Sequence, residues 1–489
     1  MLSSESAYHD LAVVIDGLRA ESSETRIASA TQLKFISEGL GPERTREELL
    51  PFLSDSIDDD DLVLLKLSAS IPLLTASHLG GAEHMYMLLQ PLELLLTVEE
   101  SSVRTAAIDS LTKILPSLPQ ESVAEHLLPM VQRLGTREWF TSRISASLIL
   151  PLLIPLLEVH EVESCITDRS WRVRWTVGSN FGKIARYDLS DSYVALATDA
   201  ESEVRIAALT QLGQVANEGN KDKIVALCEK AMDDVNDKVR GELAGGITGL
   251  GEVMGKEGTR DKLLPIMLKL LRDEDSEVRL RLISGLGKLS SIIGVGLLSS
   301  SLLPSIMDLA ADKTWRVRLA IISEIPRLAS DLGVGFFDDK FCNLCLTWLS
   351  DDCSSIRVAA AENLKHLSKL FGEDWMLERI MPTIQELRVN QSYLRRLTCL
   401  VSAGKIAESV PPGVVSSSIV PVITGMAGDA VPNIRFNVAK TLASVGRLVG
   451  KDKFEAEIMP TLKTLEEDED RDVVWFAKES IEGLKGFYA

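Results

Sequence analysis

Asp312-Lys313-Thr314-Trp315-Arg316-Val317-Arg318 decides the fold, because its pattern recurs along most of the chain. Reduced to an Asp six residues before an Arg, with apolar residues at helical spacing beyond it, the pattern returns at Asp168-Arg169-Ser170-Trp171-Arg172-Val173-Arg174. Both copies carry a Trp three residues before the final Arg. The spacing between Arg279 and Arg318 repeats back to Arg240, and forward through Arg357, Arg396 and Arg435 to Val474. The same spacing separates Arg26, Leu65, Arg104 and Arg143. The intervals 143 to 174, 174 to 205 and 205 to 240 are shorter. A sustained period near forty is the mark of stacked helix pairs, none of which can bury its apolar face alone.

The fold class this implies is all-α, a HEAT-type α-solenoid of about 13 repeats of ~39 residues. Each repeat reads as two helices. The first often carries a proline at one fixed phase, as Pro304 stands to Arg318, and the others are Pro51, Pro129, Pro265, Pro382, Pro421 and Pro460. An interior proline removes a backbone bond and bends the helix. The second helix starts near the marker, and Val317, Ile321, Ile325 and Leu328 fall on one face. The Asp at the turn suits a helix start, where it accepts backbone N–H groups and meets the positive dipole end. The Arg six residues on reaches a neighbouring repeat's Asp. We therefore expect a ladder built from Asp168, Arg174, Asp199, Arg205, Asp234, Arg240, Asp273, Arg279, Asp312, Arg318, Asp351, Arg357, Asp429 and Arg435. Treated as exposed pairs, its rungs contribute about 0.2–1 kcal/mol each and set register.

The rhythm divides the chain into N-terminal repeats at 1–150, an irregular junction at 151–170, central repeats at 171–300 and five C-terminal repeats at 301–489. The junction begins in the run Leu150-Pro151-Leu152-Leu153-Ile154-Pro155-Leu156-Leu157-Glu158, which breaks the proline phase, and distorted packing is expected there. The short intervals after it shorten a first helix or its loop, as in Arg186-Tyr187-Asp188-Leu189-Ser190. The last second-helix, around Trp475, reads as a cap.

A formal charge of −19 argues against binding a phosphate backbone, which needs clustered Lys and Arg. Six dispersed cysteines lack the density of a disulfide scaffold, so reduced thiols in the cytosol or nucleus are expected. Met1 to Asp10 has no basic segment followed by an apolar run, so no secretory signal is expected, and no apolar stretch reaches membrane-spanning length. Cys342-Asn343-Leu344-Cys345 is a lone CxxC with no second pair and no His at metal spacing, so it reads as two buried thiols. His160-Glu161 is the sole His-Glu dipeptide, the six histidines do not cluster, and no Walker-type loop is present. Neither a catalytic constellation nor a cofactor or metal site emerges. Gly245-Gly246-Ile247-Thr248-Gly249 reads as close helix contact, and Asp58 to Asp61 as a capped, solvated turn.

Trp315-Arg316 and Trp171-Arg172 stand apart from the packing pattern, since they fall in the turn before the apolar face begins. Trp and Arg dominate binding hot spots. The competing assignment is a Trp folded on its own turn to cover the Arg stem. Trp139-Phe140 adds a third aromatic turn at nearly the same phase, which makes the row a candidate docking edge.

Several of these stretches resemble one family. Val98-Glu99-Glu100, Trp139-Phe140-Thr141-Ser142-Arg143, Ser170-Trp171-Arg172-Val173-Arg174, Trp315-Arg316-Val317-Arg318-Leu319-Ala320-Ile321-Ile322, Asn433-Ile434-Arg435-Phe436-Asn437-Val438-Ala439-Lys440 and Glu43-Arg44-Thr45-Arg46-Glu47-Glu48-Leu49-Leu50-Pro51-Phe52-Leu53 are similar to the scaffold (A) subunit of protein phosphatase 2A. The resemblance implies a non-enzymatic horseshoe of about fifteen HEAT repeats whose turns form a ridge. It implies that the C-terminal five repeats hold the phosphatase catalytic subunit, with contacts at Trp315, Arg316, Tyr393, Arg395, Val431 and Asn433. Interchangeable regulatory (B-type) subunits would meet the N-terminal arm through Glu99, Glu100, Trp139, Phe140, Trp171 and Arg172. The chain shows thirteen markers, and the shortfall against the family lies between Arg143 and Asp168. Removing layers rotates the repeats on one side of the gap relative to those on the other. The expected state is a monomer in the cytoplasm or nucleus that binds no nucleic acid and no membrane. The rival reading is an importin-like HEAT adaptor taking basic peptides on an acidic surface, and an enzyme built on a solenoid ranks last.

Overall fold

The structure, a computed structural model, describes residues 4–56, 58–156, 159–185, 189–294 and 302–488. Its regular elements there are all helical. The chain forms two compact units, Met1–Gly246 and Ile247–Ala489.

Within each unit the second helices stack side by side in chain order. In the first, Asp61–Ser70 lies between Ser23–Ala30 and Ser101–Ile114, and Trp171–Asn180 lies between Phe140–Ile149 and Ser202–Leu209. In the second, Ser354–Phe371 lies between Trp315–Leu332 and Tyr393–Ala407, followed by Pro432–Val445 and Arg471–Tyr488. Burial follows the sequence period: Val317, Ile321, Ile325 and Leu328 are all buried, with Ile322 beside them. Each layer therefore supplies one face to the layer before and one to the layer after, and the core runs along the stack.

The proline-bearing first helices do more than bend. Immediately before Pro51, Pro129, Pro265, Pro382, Pro421 and Pro460 the backbone winds one π turn, at Thr45–Leu49, Val123–Leu127, Thr259–Leu263, Met376–Ile380, Val415–Ile419 and Phe454–Ile458. A proline ring clashes with the carbonyl four residues earlier. For Pro382 that is Glu378, which sits inside the widened turn. The π turn thus absorbs the proline and lets α winding resume.

Repeats are joined at a second recurrent position. Gly41, Gly255, Gly294, Gly333 and Gly372 share one phase beyond their markers, as Gly333 stands to Arg318, and all have positive φ, between 64° and 93°. With ψ of 162° at Gly333 and 174° at Gly372, this is a region open essentially to glycine alone.

At the irregular junction, Leu150–Leu156 winds as a 3-10 helix and Val159–Ile166 stands in for a first helix. Leu157 and Glu158 lie outside the described residues, as do Arg186, Tyr187 and Asp188, so the shortened loop expected there is not described. Leu150, Leu153, Val162, Cys165 and Ile166 are buried, so the junction carries a core.

Candidate docking edge

The turn before each second helix is assembled from two side chains. The Asp carboxylate accepts the N–H two residues on, from Ser170 to Asp168, Glu201 to Asp199, Asn236 to Asp234, Asp275 to Asp273, Thr314 to Asp312, Cys353 to Asp351, Val431 to Asp429 and Asp470 to Asp468. The Arg reaches back with Nη1 to carbonyls of its own turn: Arg318 to Asp312 O, Arg174 to Asp168 O, Arg240 to Asp234 O, Arg279 to Asp273 O, Arg357 to Asp351 O and Arg435 to Asp429 O. Its remaining edge meets the next turn's carboxylate. The pairs Arg26–Asp59, Arg143–Asp168, Arg174–Asp199, Arg205–Asp234, Arg279–Asp312, Arg318–Asp351, Arg396–Asp429 and Arg435–Asp468 close at 2.6 to 3.0 Å. Arg143–Asp168 carries the ladder across the irregular junction in register.

These rungs are not the exposed pairs assumed from sequence. Arg435 and Asp468 are each 10% exposed, and Arg143 and Asp168 are 7% and 9% exposed. Charge-assisted hydrogen bonds in such settings are worth about 1.5–3 kcal/mol, so a rung holds the stack as well as setting its register. The hydrogen bond from Arg435 keeps the Asp468 carboxyl below the usual carboxylate range, and Asp468 in turn raises the Arg435 guanidinium. At Asp199 burial works the other way and is outweighed by the Arg174 guanidinium and the Glu201 N–H, so its pKa is also lowered.

The two Trp–Arg pairs, one in each unit, adopt the same local arrangement on such turns. Arg316 lies over the Trp315 ring at 4.8 Å, and Arg172 over the Trp171 ring at 4.7 Å and the Phe140 ring at 5.4 Å. Each Trp opens its second helix and is half-buried beneath an exposed Arg. Packing and presentation are thus combined: the ring supports the guanidinium, and neither Arg316 nor Arg172 has a hydrogen-bond acceptor among the described residues.

Trp139 is 74% exposed at the head of Phe140–Ile149. Glu99 is exposed, while Glu100 caps Ser101–Ile114 by accepting from Ser102 N–H, which lowers its pKa. Tyr393 and Arg395 are exposed in the first turn of Tyr393–Ala407, and Asn433 is exposed near the start of Pro432–Val445 beside half-buried Val431. The proposed contacts within each unit therefore sit on equivalent turns. Sequence reasoning missed Trp175, exposed one residue past the marker, and the strip in which Phe436 stacks on Phe476 beneath Lys440. Trp175 carried no distinct signal, since the position after the marker is apolar in most repeats, as at Leu319, Val358 and Phe436.

The cysteines are free thiols, with Cys342 and Cys345 buried. Burial pushes Cys228 and Cys399 up to about 12 and raises Cys345, which keeps them protonated and unreactive. In Gly245–Gly249 close helix contact holds only at Gly246, which meets Leu212; Gly245 and Gly249 have open space. Among the described residues no helix is long and apolar enough to cross a membrane.

The HEAT repeat model matches residues 263–293 and 341–371. A probable serine/threonine-protein phosphatase PP2A regulatory subunit of Caenorhabditis elegans is 36% identical over 240 residues, 45% of this chain and 40% of that protein. The regulatory A subunit of protein phosphatase PP2A from Schizosaccharomyces pombe is 45% identical over 139 residues, 28% of this chain and 23% of its own length. The Dictyostelium discoideum protein phosphatase 2A scaffold subunit is 36% identical over 218 residues, 44% of this chain and 33% of that protein. The chain thus spans less than half the length of these curated relatives. Among solved structures, the karyopherin Kap121p bound to Pho4p superposes with a TM-score of 0.67 over 98% of this chain and 53% of its own, at 15% identity. That likeness is one of fold.

Proposed function

We propose that this chain, a HEAT-repeat homologue of the regulatory A (scaffold) subunits of protein phosphatase 2A, is a non-catalytic scaffold. In this reading it docks a phosphatase catalytic subunit on the turns of its C-terminal repeats and a regulatory subunit on those of its N-terminal repeats. The observation that carries the reading is the Trp315–Arg316 pair, a guanidinium held over an indole with no hydrogen-bond acceptor among the described residues, on a turn fixed by Arg318 and Asp312. Such a pair loses little conformational freedom on binding, which is what a hot spot requires. Tyr393, Arg395 and Asn433 offer exposed side chains at the equivalent place in later repeats of the same unit. The mechanism is positional, since tethering raises the effective concentration of one partner near another.

Purified phosphatase 2A catalytic subunit titrated onto the immobilised chain provides the test. The double variant Trp315→Ala, Arg316→Ala should weaken capture by about 2 kcal/mol or more, roughly thirtyfold. Unchanged affinity would remove this turn from the interface, and no capture by the parent chain would end the scaffold reading.

A further inference from the structure

The ladder has an open rung in the first unit. Arg104 donates through Nη1 to Val98 O and Glu99 O, as its counterparts do within their own turns. Its Nε and Nη2 meet no acceptor among the described residues. The cause is in the sequence: six residues before the next marker stands Arg137 where most repeats have Asp, and Arg137 turns to Glu93 at 3.8 Å. Arg104 is also partly buried, and loss of solvent lowers its pKa by more than the nearby charges of Glu100 and Glu99 raise it, so this guanidinium is desolvated with no carboxylate bonded to its open edge among the described residues.

Arg104 lines a groove of about 590 Å³, mostly apolar, together with Ile144, Leu148, Trp171, Arg172 and Trp175. Arg172 brings a second guanidinium without a hydrogen-bond acceptor among the described residues, and Trp175 is 44% exposed. The ligand chemistry is written in the neighbouring rungs: the same fork on Arg143 and Arg174 takes both oxygens of a carboxylate at 2.6 to 3.1 Å. We propose that this groove docks a partner segment that places an Asp or Glu carboxylate on Arg104 and a neighbouring large apolar side chain against Leu148 and Trp175. Charge complementarity selects that occupant, because this groove carries two guanidiniums, neither in an ion pair among the described residues, against the single carboxylate of Glu203, on a chain of net charge −19. The groove shares Trp171 and Arg172 with the regulatory-subunit side of the proposed function and rests on that reading there, whereas the catalytic-subunit contacts around Trp315 lie on other turns.

A fluorescein-labelled hexapeptide, Glu-Asp-Leu-Phe-Asp-Glu, titrated with the full chain and followed by anisotropy provides the test. The expected result is binding at least tenfold tighter than that of the same peptide with Lys at its four acidic positions. Arg137→Asp restores a carboxylate at the ladder phase and closes the rung from within. It should raise the thermal midpoint while weakening the acidic peptide at least tenfold, and Trp175→Ala should weaken it about fivefold with the midpoint unchanged. Capture of the catalytic subunit by Arg137→Asp should equal that of the parent, which separates this result from the scaffold test. Equal binding of the two peptides, no binding of the acidic one up to about 1 mM, or unchanged affinity in both variants would overturn the proposal.

Discussion

Asp468 shows how one carboxylate serves two layers, accepting the N–H of Asp470 in its own turn and two donors from Arg435 in the layer before. Asp468→Asn keeps the shape and removes the charge, and we expect it to destabilise the chain by about 1–3 kcal/mol at pH 7. The pH dependence has a definite sign. The folded carboxyl titrates below its unfolded value, so its contribution is complete above the unfolded pKa of about 3.9 and is lost as pH falls through the lower, folded one. Urea midpoints of parent and variant should differ equally at pH 7 and pH 5 and converge only below about pH 4. Convergence already at pH 5 would show that Asp468 is not held by Arg435. The six-residue spacing made the Asp and Arg partners legible in the sequence. The arginine's second task, donating to its own turn's carbonyls, was not, because every residue offers the same carbonyl and only geometry selects among them.

At the scale of an element, the prolines and glycines divide the work of shaping each repeat. The prolines were visible at one phase and a bend was expected from them; the π turn in front of each was not legible, since many residue types tolerate one extra residue per turn. The glycines at the phase of Gly333 stand equally plainly in the sequence, but a lone Gly after a helix resembles an ordinary cap and does not by itself disclose its conformation. Their conformation gives a paired prediction. Gly372 has φ 93° and ψ 174° with open space around its Cβ position, so Gly372→Ala meets backbone strain alone, costing about 1–3 kcal/mol. Gly450 occupies the same phase with φ −71° and ψ 158° and also has open space. There alanine should be neutral or stabilise by about 0.4–1 kcal/mol, since it restricts only the unfolded chain. A lowered thermal midpoint for Gly372→Ala beside an unchanged or raised one for Gly450→Ala is the expected result, and equal losses in the two would refute the assignment of strain to Gly372.

Across the stacks, stability is a sum of terms between adjacent layers, so a missing rung is a local weakness rather than a global one. One such gap lies in the second unit. Arg357 spends Nη1 on Asp351 O and Asp352 O, while Asn390, whose Oδ1 already accepts from Ser392 N–H, stands where the next Asp belongs. Asn390→Asp keeps that turn bond and supplies a charged acceptor to a buried guanidinium, which should stabilise this interface by about 1–2 kcal/mol. Because local opening reports local free energy, amide exchange should slow about tenfold in Ser354–Phe371 and Tyr393–Ala407. Arg471–Tyr488, two layers further along the same stack, should exchange as before. The sequence holds the information for this prediction, since the gap is an Asn at an Asp phase. Its energetic meaning required the structure, which shows that Arg357 is buried and that in complete rungs such as Arg318–Asp351 and Arg396–Asp429 the arginine meets the next layer's carboxylate. Slowing that spread evenly to Arg471–Tyr488 would mean that the layers unfold as one body and that nearest-neighbour energetics do not hold for this array.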